Sequence, residues 1–171
     1  RFIDQYNLPE YDASVLTAVR QLADYYEEVV KHGAHAKKAS NWIMSELLGK
    51  IEDPEYINDY NISSENLSKL LVLIDNNTIS GKIAKKVFAE MLKDGKDPET
   101  IIEEQGLKQV SDTSEIESMV NQVLDDNQQS VDDFKNGKEK ALGFLVGQVM
   151  KMSRGKANPQ MVNEILKKKL Q

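Results

Sequence analysis

The chain contains no cysteine in 171 residues. Disulfides and thiolate metal sites are therefore excluded, and a reducing cytosol is the expected compartment. No stretch approaches the ~20 apolar residues of a membrane span. The first residues lack the basic-then-apolar pattern of a secretion signal. There are only two histidines, His32 and His35, flanking Gly33. They lack the neighbouring carboxylate or third histidine that a metal site needs, so a capping or solvated pair is the expected role. GxSxG, HExxH, P-loop and GxGxxG patterns are all missing. Acidic pairs such as Glu27-Glu28, Glu103-Glu104, Asp125-Asp126 and Asp132-Asp133 are sequence neighbours, so they splay around helices instead of converging as an acid/base dyad. No strand alternation or hairpin signal occurs. No residue here is expected to carry catalysis, which makes an independent enzyme the weakest reading. The chain starts at Arg1, not at a methionine, and reads as a piece of something longer.

What is present is helical punctuation, and the expected fold class is all-α. Asp12 is placed to cap a run carrying Val15, Leu16, Val19, Leu22, Ala23, Tyr26 and Val30 on one stripe, with Gly33 as its stop. A second run extends from His35 to Leu48. Residues 51–62, with Pro54 and alternating acids, read as a connecting loop. Ser63 or Ser64 starts a helix that stops at Asn76-Asn77. Ser80 caps another, with Ile83, Val87, Phe88 and Met91 inward and Gly95 closing it. Asp97-Pro98 opens a short helix that Gly106 ends. Asp112 or Thr113 caps the next, with Ile116, Met119, Val120, Val123 and Leu124 inward. A short helix around Val131 and Phe134 follows, then one from about Lys138 to Ser153, and a last one from Asn158-Pro159 to Leu170. The pattern breaks near "GLKQVSD", which divides the chain into two small helical domains: a helical domain, 1–108, and a C-terminal tail domain, 109–171. Tyr25, Tyr26 and Trp42 fall inside helical runs and are expected to pack.

Charge is unevenly spread. Residues 138–171 carry a net +6, residues 1–137 a net −12, and the whole chain −6. Such asymmetry points to an acidic partner or nucleic acid at the basic end, or to a plain solubility gradient.

The stretch "GFLVGQVMKMSRGKANP" sits in that end. Gly143 and Gly147 each cost a helix about 0.5–1 kcal/mol against alanine. With Gly143 at zero and 100° per residue, Leu142, Leu145, Val149 and Met152 form an apolar stripe at about 180–260°. Gly147 falls at about 40°, Lys140 at about 60°, Lys151 at about 80°, and Arg154 at about 20° if the helix runs that far. The glycines thus lie opposite the core, in line with cations. Two readings fit. A helix of another subunit docks closely on the Gly143/Gly147 ridge, or a phosphate backbone lies along it with Lys140, Lys151 and Arg154 as counter-charges. Gly155 and Lys156 lead to the N-terminus of the last helix at Asn158, where free amides and the dipole favour an anion. Nucleic-acid contact through backbone and shape is the favoured reading, since few exposed aromatics are expected to stack on bases.

"GFLVGQVMKMSRGKANPQMVNEIL" resembles the C-terminal signature of the B subunit of bacterial aspartyl/glutamyl-tRNA amidotransferases. "YNLPEYDASVLT", "KKASNWIMSELL" and "DNNTISGKIAKKVFAEML" resemble the helical domain preceding it. The closing region also resembles a small stand-alone family of tail-like proteins. The resemblance implies a heterotrimeric ligase of protein biosynthesis, partnered by A and C subunits and no membrane. It implies that the full-length subunit uses ATP and magnesium to activate Glu on tRNA(Gln) or Asp on tRNA(Asn), then transfers ammonia. That chemistry belongs to an N-terminal cradle domain without counterpart here, so no catalytic residue, metal or cofactor is carried over. The implied role of this chain is tRNA binding. Lys140, Gly143, Gly147, Lys151, Arg154, Gly155, Lys156 and Asn158 match the tail signature. Lys82 and Lys85, behind the Ser80 cap, are weaker candidates for a phosphate contact.

Overall fold

The computed structural model describes residues 1–108 and 113–171, and every regular element among them is a helix. The fold is all-α. These residues divide into two compact units, one of Arg1–Asn76 with Ala84–Gly106, the other of Asn77–Ile83 with Leu107–Gln171. The expected boundary at 108/109 abuts residues 109–112, and Asp112 as a cap likewise lies outside the described residues.

The helices up to Gly106 are α1 (Phe2–Tyr6), α2 (Glu10–Leu16), α3 (Arg20–Lys31), α4 (Ala36–Trp42), α5 (Ser64–Asp75), α6 (Gly81–Asp94) and α7 (Pro98–Gln105). Where the local chemistry is decisive, they begin and end as expected. The Ser63 hydroxyl accepts from the Asn66 N–H at 3.1 Å, and Ser80 from the Ile83 N–H at 3.2 Å. The Asp97 carboxylate accepts from the Glu99 N–H at 2.9 Å ahead of Pro98. Each satisfies an otherwise orphaned amide of a first turn. Gly95 and Gly106 close their helices at φ 73° and 60°, the left-handed geometry that costs glycine least.

Three expectations change. The run expected from Asp12 to Gly33 is two helices, broken at Thr17–Val19. The Thr17 hydroxyl donates to the Ala13 carbonyl at 2.7 Å, and the Thr17 N–H reaches the same oxygen at 3.1 Å. This back-bonding favours a helix end, and Val19 is extended. Asp12 is accordingly no cap. It lies in the first turn of α2, buried, and one carboxylate oxygen accepts from Lys37 Nζ at 2.5 Å and from Ser40 Oγ at 2.7 Å, both on α4. Residues 51–62 are not an open loop. Pro54–Asp59 forms 3-10 turns interrupted by a kink at Tyr56 and capped by Asp53, and Ile51, Ile57 and Ile62 are buried. Proline and acids signalled the turn, but the three isoleucines decide where it rests.

α4 runs directly into a π turn at Ile43–Leu47, where the Leu48 N–H bonds the Ile43 carbonyl at 2.9 Å. Tyr25, Tyr26 and Trp42 pack, as expected. Tyr26 is fully buried between the rings of Phe2 (5.2 Å) and Tyr6 (5.4 Å, edge-on), and Trp42 meets Phe88 edge-on at 5.7 Å. The Tyr25 hydroxyl donates to the Ile62 carbonyl at 3.0 Å, tying α3 to the end of the 51–62 segment, and burial pushes its pKa well up. No helix among the described residues is long and apolar enough to cross a membrane.

The hydrogen bonds from Lys37 and then Ser40 hold the Asp12 carboxyl below its ordinary value of 3.8. Asp12→Asn removes the charge and is expected to cost about 1–2 kcal/mol at neutral pH, since Lys37 stays partly in water. A depressed folded-state pKa contributes stability above the unfolded value and loses it as pH falls through the folded one. Urea unfolding of both proteins should show their difference closing as pH drops below 3.8.

Candidate nucleic-acid interface

The second unit holds α8 (Thr113–Asp126), α9 (Gln128–Lys135), α10 (Lys140–Met152) and α11 (Pro159–Leu170). Its core joins Ile116, Val120 and Val123 of α8, Val131 of α9, Leu145 and Val149 of α10, Ala157, and Val162, Leu166 and Leu170 of α11. The 3- and 4-residue spacing in α8, α10 and α11 puts these side chains on one stripe in each.

α10 presents its other side to solvent. Leu145 and Val149 are fully buried, as the periodicity predicts, but Met152 is 43 % exposed. Val146 and Met150 pack against the core alongside Leu142. On the same angular scale the buried arc runs from about 200° at Leu145 to about 340° at Met150. It is rotated past the stripe that the apolar residues alone suggest. Gly143 and Gly147 are both exposed, and a Cβ built on either would meet no atom within 4 Å. The pair therefore serves no close approach by another part of the described chain. Lys140 and Lys151 are exposed on the same side.

The rotation brings one residue into view that sequence reasoning missed. Phe144, at about 100° on that scale, sits in the middle of the exposed arc. It is 48 % exposed and stands outside the core cluster. Its signal was available, because Lys140, Gly147 and Lys151 lie at the helical spacings that share its face. The expectation of few exposed aromatics overlooked it.

Arg154 is not part of the helix. α10 ends at Met152 with Ser153 as its cap, and Arg154 and Gly155 both take positive φ, 56° and 77°. The Gly155 N–H bonds the Met150 carbonyl at 2.8 Å and the Arg154 N–H bonds that of Lys151 at 3.1 Å. This is the Schellman pattern, with arginine in the place glycine normally takes. The alignment of Arg154 with the glycines required a longer helix, and the turn removes it. Ser153, buried, braces the turn: its hydroxyl donates to the Met150 carbonyl at 3.0 Å and accepts the Ala157 N–H at 3.1 Å.

The amides expected to be free at the start of α11 are taken. Asn158 Oδ1 accepts from the Gln160 N–H at 3.0 Å and the Met161 N–H at 3.3 Å, and the Val162 N–H bonds the Asn158 carbonyl at 3.0 Å. Pro159 has no N–H, and the Lys156 N–H bonds the Ser153 carbonyl at 3.1 Å. The dipole and nearby side chains remain to attract an anion. Among the described residues Lys140, Lys151, Arg154 and Lys156 form no ion pair. In the same unit Lys138 pairs with Asp133, and Lys169 with Glu117, each at 3.0 Å.

A family model described as a GatB domain matches residues 24–170. The chain belongs to the GatB family. It is 51 % identical over its whole length to the B subunit of the aspartyl/glutamyl-tRNA(Asn/Gln) amidotransferase of Caldicellulosiruptor bescii. It is 52 % identical over 99 % of its length to the protein of the same name from Carboxydothermus hydrogenoformans, and 48 % over 99 % to that of Enterococcus faecalis. The chain spans 36 % of the length of each of these relatives.

The remaining candidates of this GatB-family chain stand apart in chemistry. Lys82 is exposed in the first turn of α6, and Ser80 already occupies the Ile83 amide. Lys85 belongs to the first unit and pairs with Glu46 on the π turn at 3.3 Å. Among the described residues no three histidine or acidic side chains converge to hold a metal ion. None of the described residues thus forms a set that fits magnesium.

The left-handed conformation costs a non-glycine residue about 1–2 kcal/mol. Glycine there gives back about 0.5–1 kcal/mol in chain entropy. Arg154→Gly is therefore expected to raise stability by roughly 0.5–1 kcal/mol, read from chemical denaturation.

Proposed function

We propose that this chain is the tRNA-binding region of the B subunit of a glutamine-dependent aspartyl/glutamyl-tRNA amidotransferase. Family membership supports the subunit context. The single observation that carries the binding reading is the α10 face: two bare glycines beside Lys140 and Lys151, exposed cations without ion-pair partners among the described residues. A helix surface without side chains lets a polyanion approach the backbone closely, and unpaired lysines replace its counterions. Arg154 and Lys156 extend the positive field past the helix end, within the segment of net +6 charge. Recognition of this kind reads the course of the RNA backbone before any base.

In the assembled enzyme this chain holds Glu-tRNA(Gln) or Asp-tRNA(Asn) while the carboxylate is activated and amidated elsewhere in the B subunit. The family resemblance assigns ATP and magnesium to that other part, ammonia production to the A subunit, and cytoplasmic assembly to the three subunits. The work of these residues is positioning, and it supplies no reacting group.

Lys151→Ala combined with Arg154→Ala is expected to weaken tRNA binding. It should flatten the plot of log affinity against log salt by roughly two units. Titration of tRNA at several salt concentrations reads both. An unaltered slope with the helix still folded would remove the phosphate contact and favour a docked protein helix. Gly147→Leu is expected to raise stability by several tenths of a kcal/mol, since leucine is the better helix former and meets open space. The same substitution should impair tRNA binding, an opposition visible when thermal melts and titrations are compared.

A further inference from the structure

We propose that Phe144 is a stacking platform for an exposed nucleobase of the RNA lying on α10, and that it supplies the part of the affinity that salt does not screen. The inference rests on the tRNA-binding reading above and adds to it a residue and a recognition mode.

Three observations lead to it. The ring is 48 % exposed and outside the core cluster of its unit, so packing of the fold does not account for it. Its helix neighbours at −1 and +3 are Gly143 and Gly147, and neither position has an atom within 4 Å of a built Cβ. Nothing on that flank keeps a flat ligand from the ring. Its neighbours at −4 and +7 are Lys140 and Lys151, exposed and without ion-pair partners among the described residues. On a helix these positions fall within about 40° of the ring.

The chemistry of the flanks selects the occupant. Protein–protein interfaces deplete lysine at their centres and need a contiguous apolar area. Here a single ring stands between two lysines. Surfaces that hold unpaired nucleotides combine these same elements, an aromatic plane for the base and cations for the phosphates beside it. Every base has a π face, so the contact discriminates exposed from paired bases more than it discriminates sequence. The glycines then have a second use: they clear the approach to the ring as well as to the helix backbone.

The test separates ring from charge. Phe144→Ala, Phe144→Trp and Lys151→Ala are titrated in the complete chain with a tRNA transcript and with a continuous RNA duplex of equal phosphate number, at several salt concentrations. Phe144→Ala should weaken tRNA binding about five- to tenfold at every salt concentration, the low end of aromatic stacking. It should leave the salt slope and the binding of duplex unchanged. Phe144→Trp should restore the affinity, and Lys151→Ala should change the slope instead. Melting curves should show Phe144→Ala as stable as the original or more so, given alanine's helix propensity. Silent Phe144→Ala alongside an altered slope in Lys151→Ala would overturn the platform and leave the phosphate contact standing. A slope change in Phe144→Ala would make the ring a support for the lysines and also overturn it. Failure of the unaltered chain to bind tRNA would overturn both readings.

Discussion

The burial of Leu145 and Val149 against α8, α9 and α11 sets the orientation of α10 about its own axis. Everything else proposed for this chain depends on that rotation. Once these two side chains face the core, the helix geometry leaves Lys140, Gly143, Phe144, Gly147 and Lys151 turned to water. The hydrophobic effect drives the burial, and the presentation of the proposed binding face is its consequence.

Several local costs gather at this one end of the chain. Gly143 and Gly147 weaken the helix that carries them, together by about 1–2 kcal/mol. Arg154 takes a left-handed backbone that glycine would take without strain. Among the described residues Lys140 and Lys151 stand without the carboxylates that Lys138 and Lys169 possess. Natural proteins tend to break local rules at sites where a ligand compensates them. The RNA proposed above would fill the bare face and neutralise the lysines. In the first unit Lys37, Lys38, Lys69 and Lys85 pair with carboxylates of the same chain, while Lys50, Lys86 and Lys93 form no ion pair among the described residues.

How much was legible follows from the range of each signal. Caps and stops act within a few residues, so Ser63, Ser80, Asp97, Gly95 and Gly106 could be read directly and the structure agrees with them. The role of Asp12 is not legible locally because its partners, Lys37 and Ser40, lie on another helix. The sequence suggests an anion site at Asn158, yet its own side chain consumes the amides that such a site would use. The exposure of both glycines was legible from the position of the apolar stripe, whereas Phe144 was not recognised. The width of the buried arc depends on Val146 and Met150 reaching side chains far away in sequence.

The amino-acid order by itself determined the all-α class, most helix ends, the basic closing segment and the kinship to the GatB family. Those properties rest on local hydrogen bonding, helical periodicity and composition. Only the tertiary structure decided that the helix stops before Arg154, that the amides at Asn158 are spent, and that an aromatic ring stands among the lysines. Each of these depends on which groups meet across the fold, and a helix has no preferred rotation until another surface buries one of its sides.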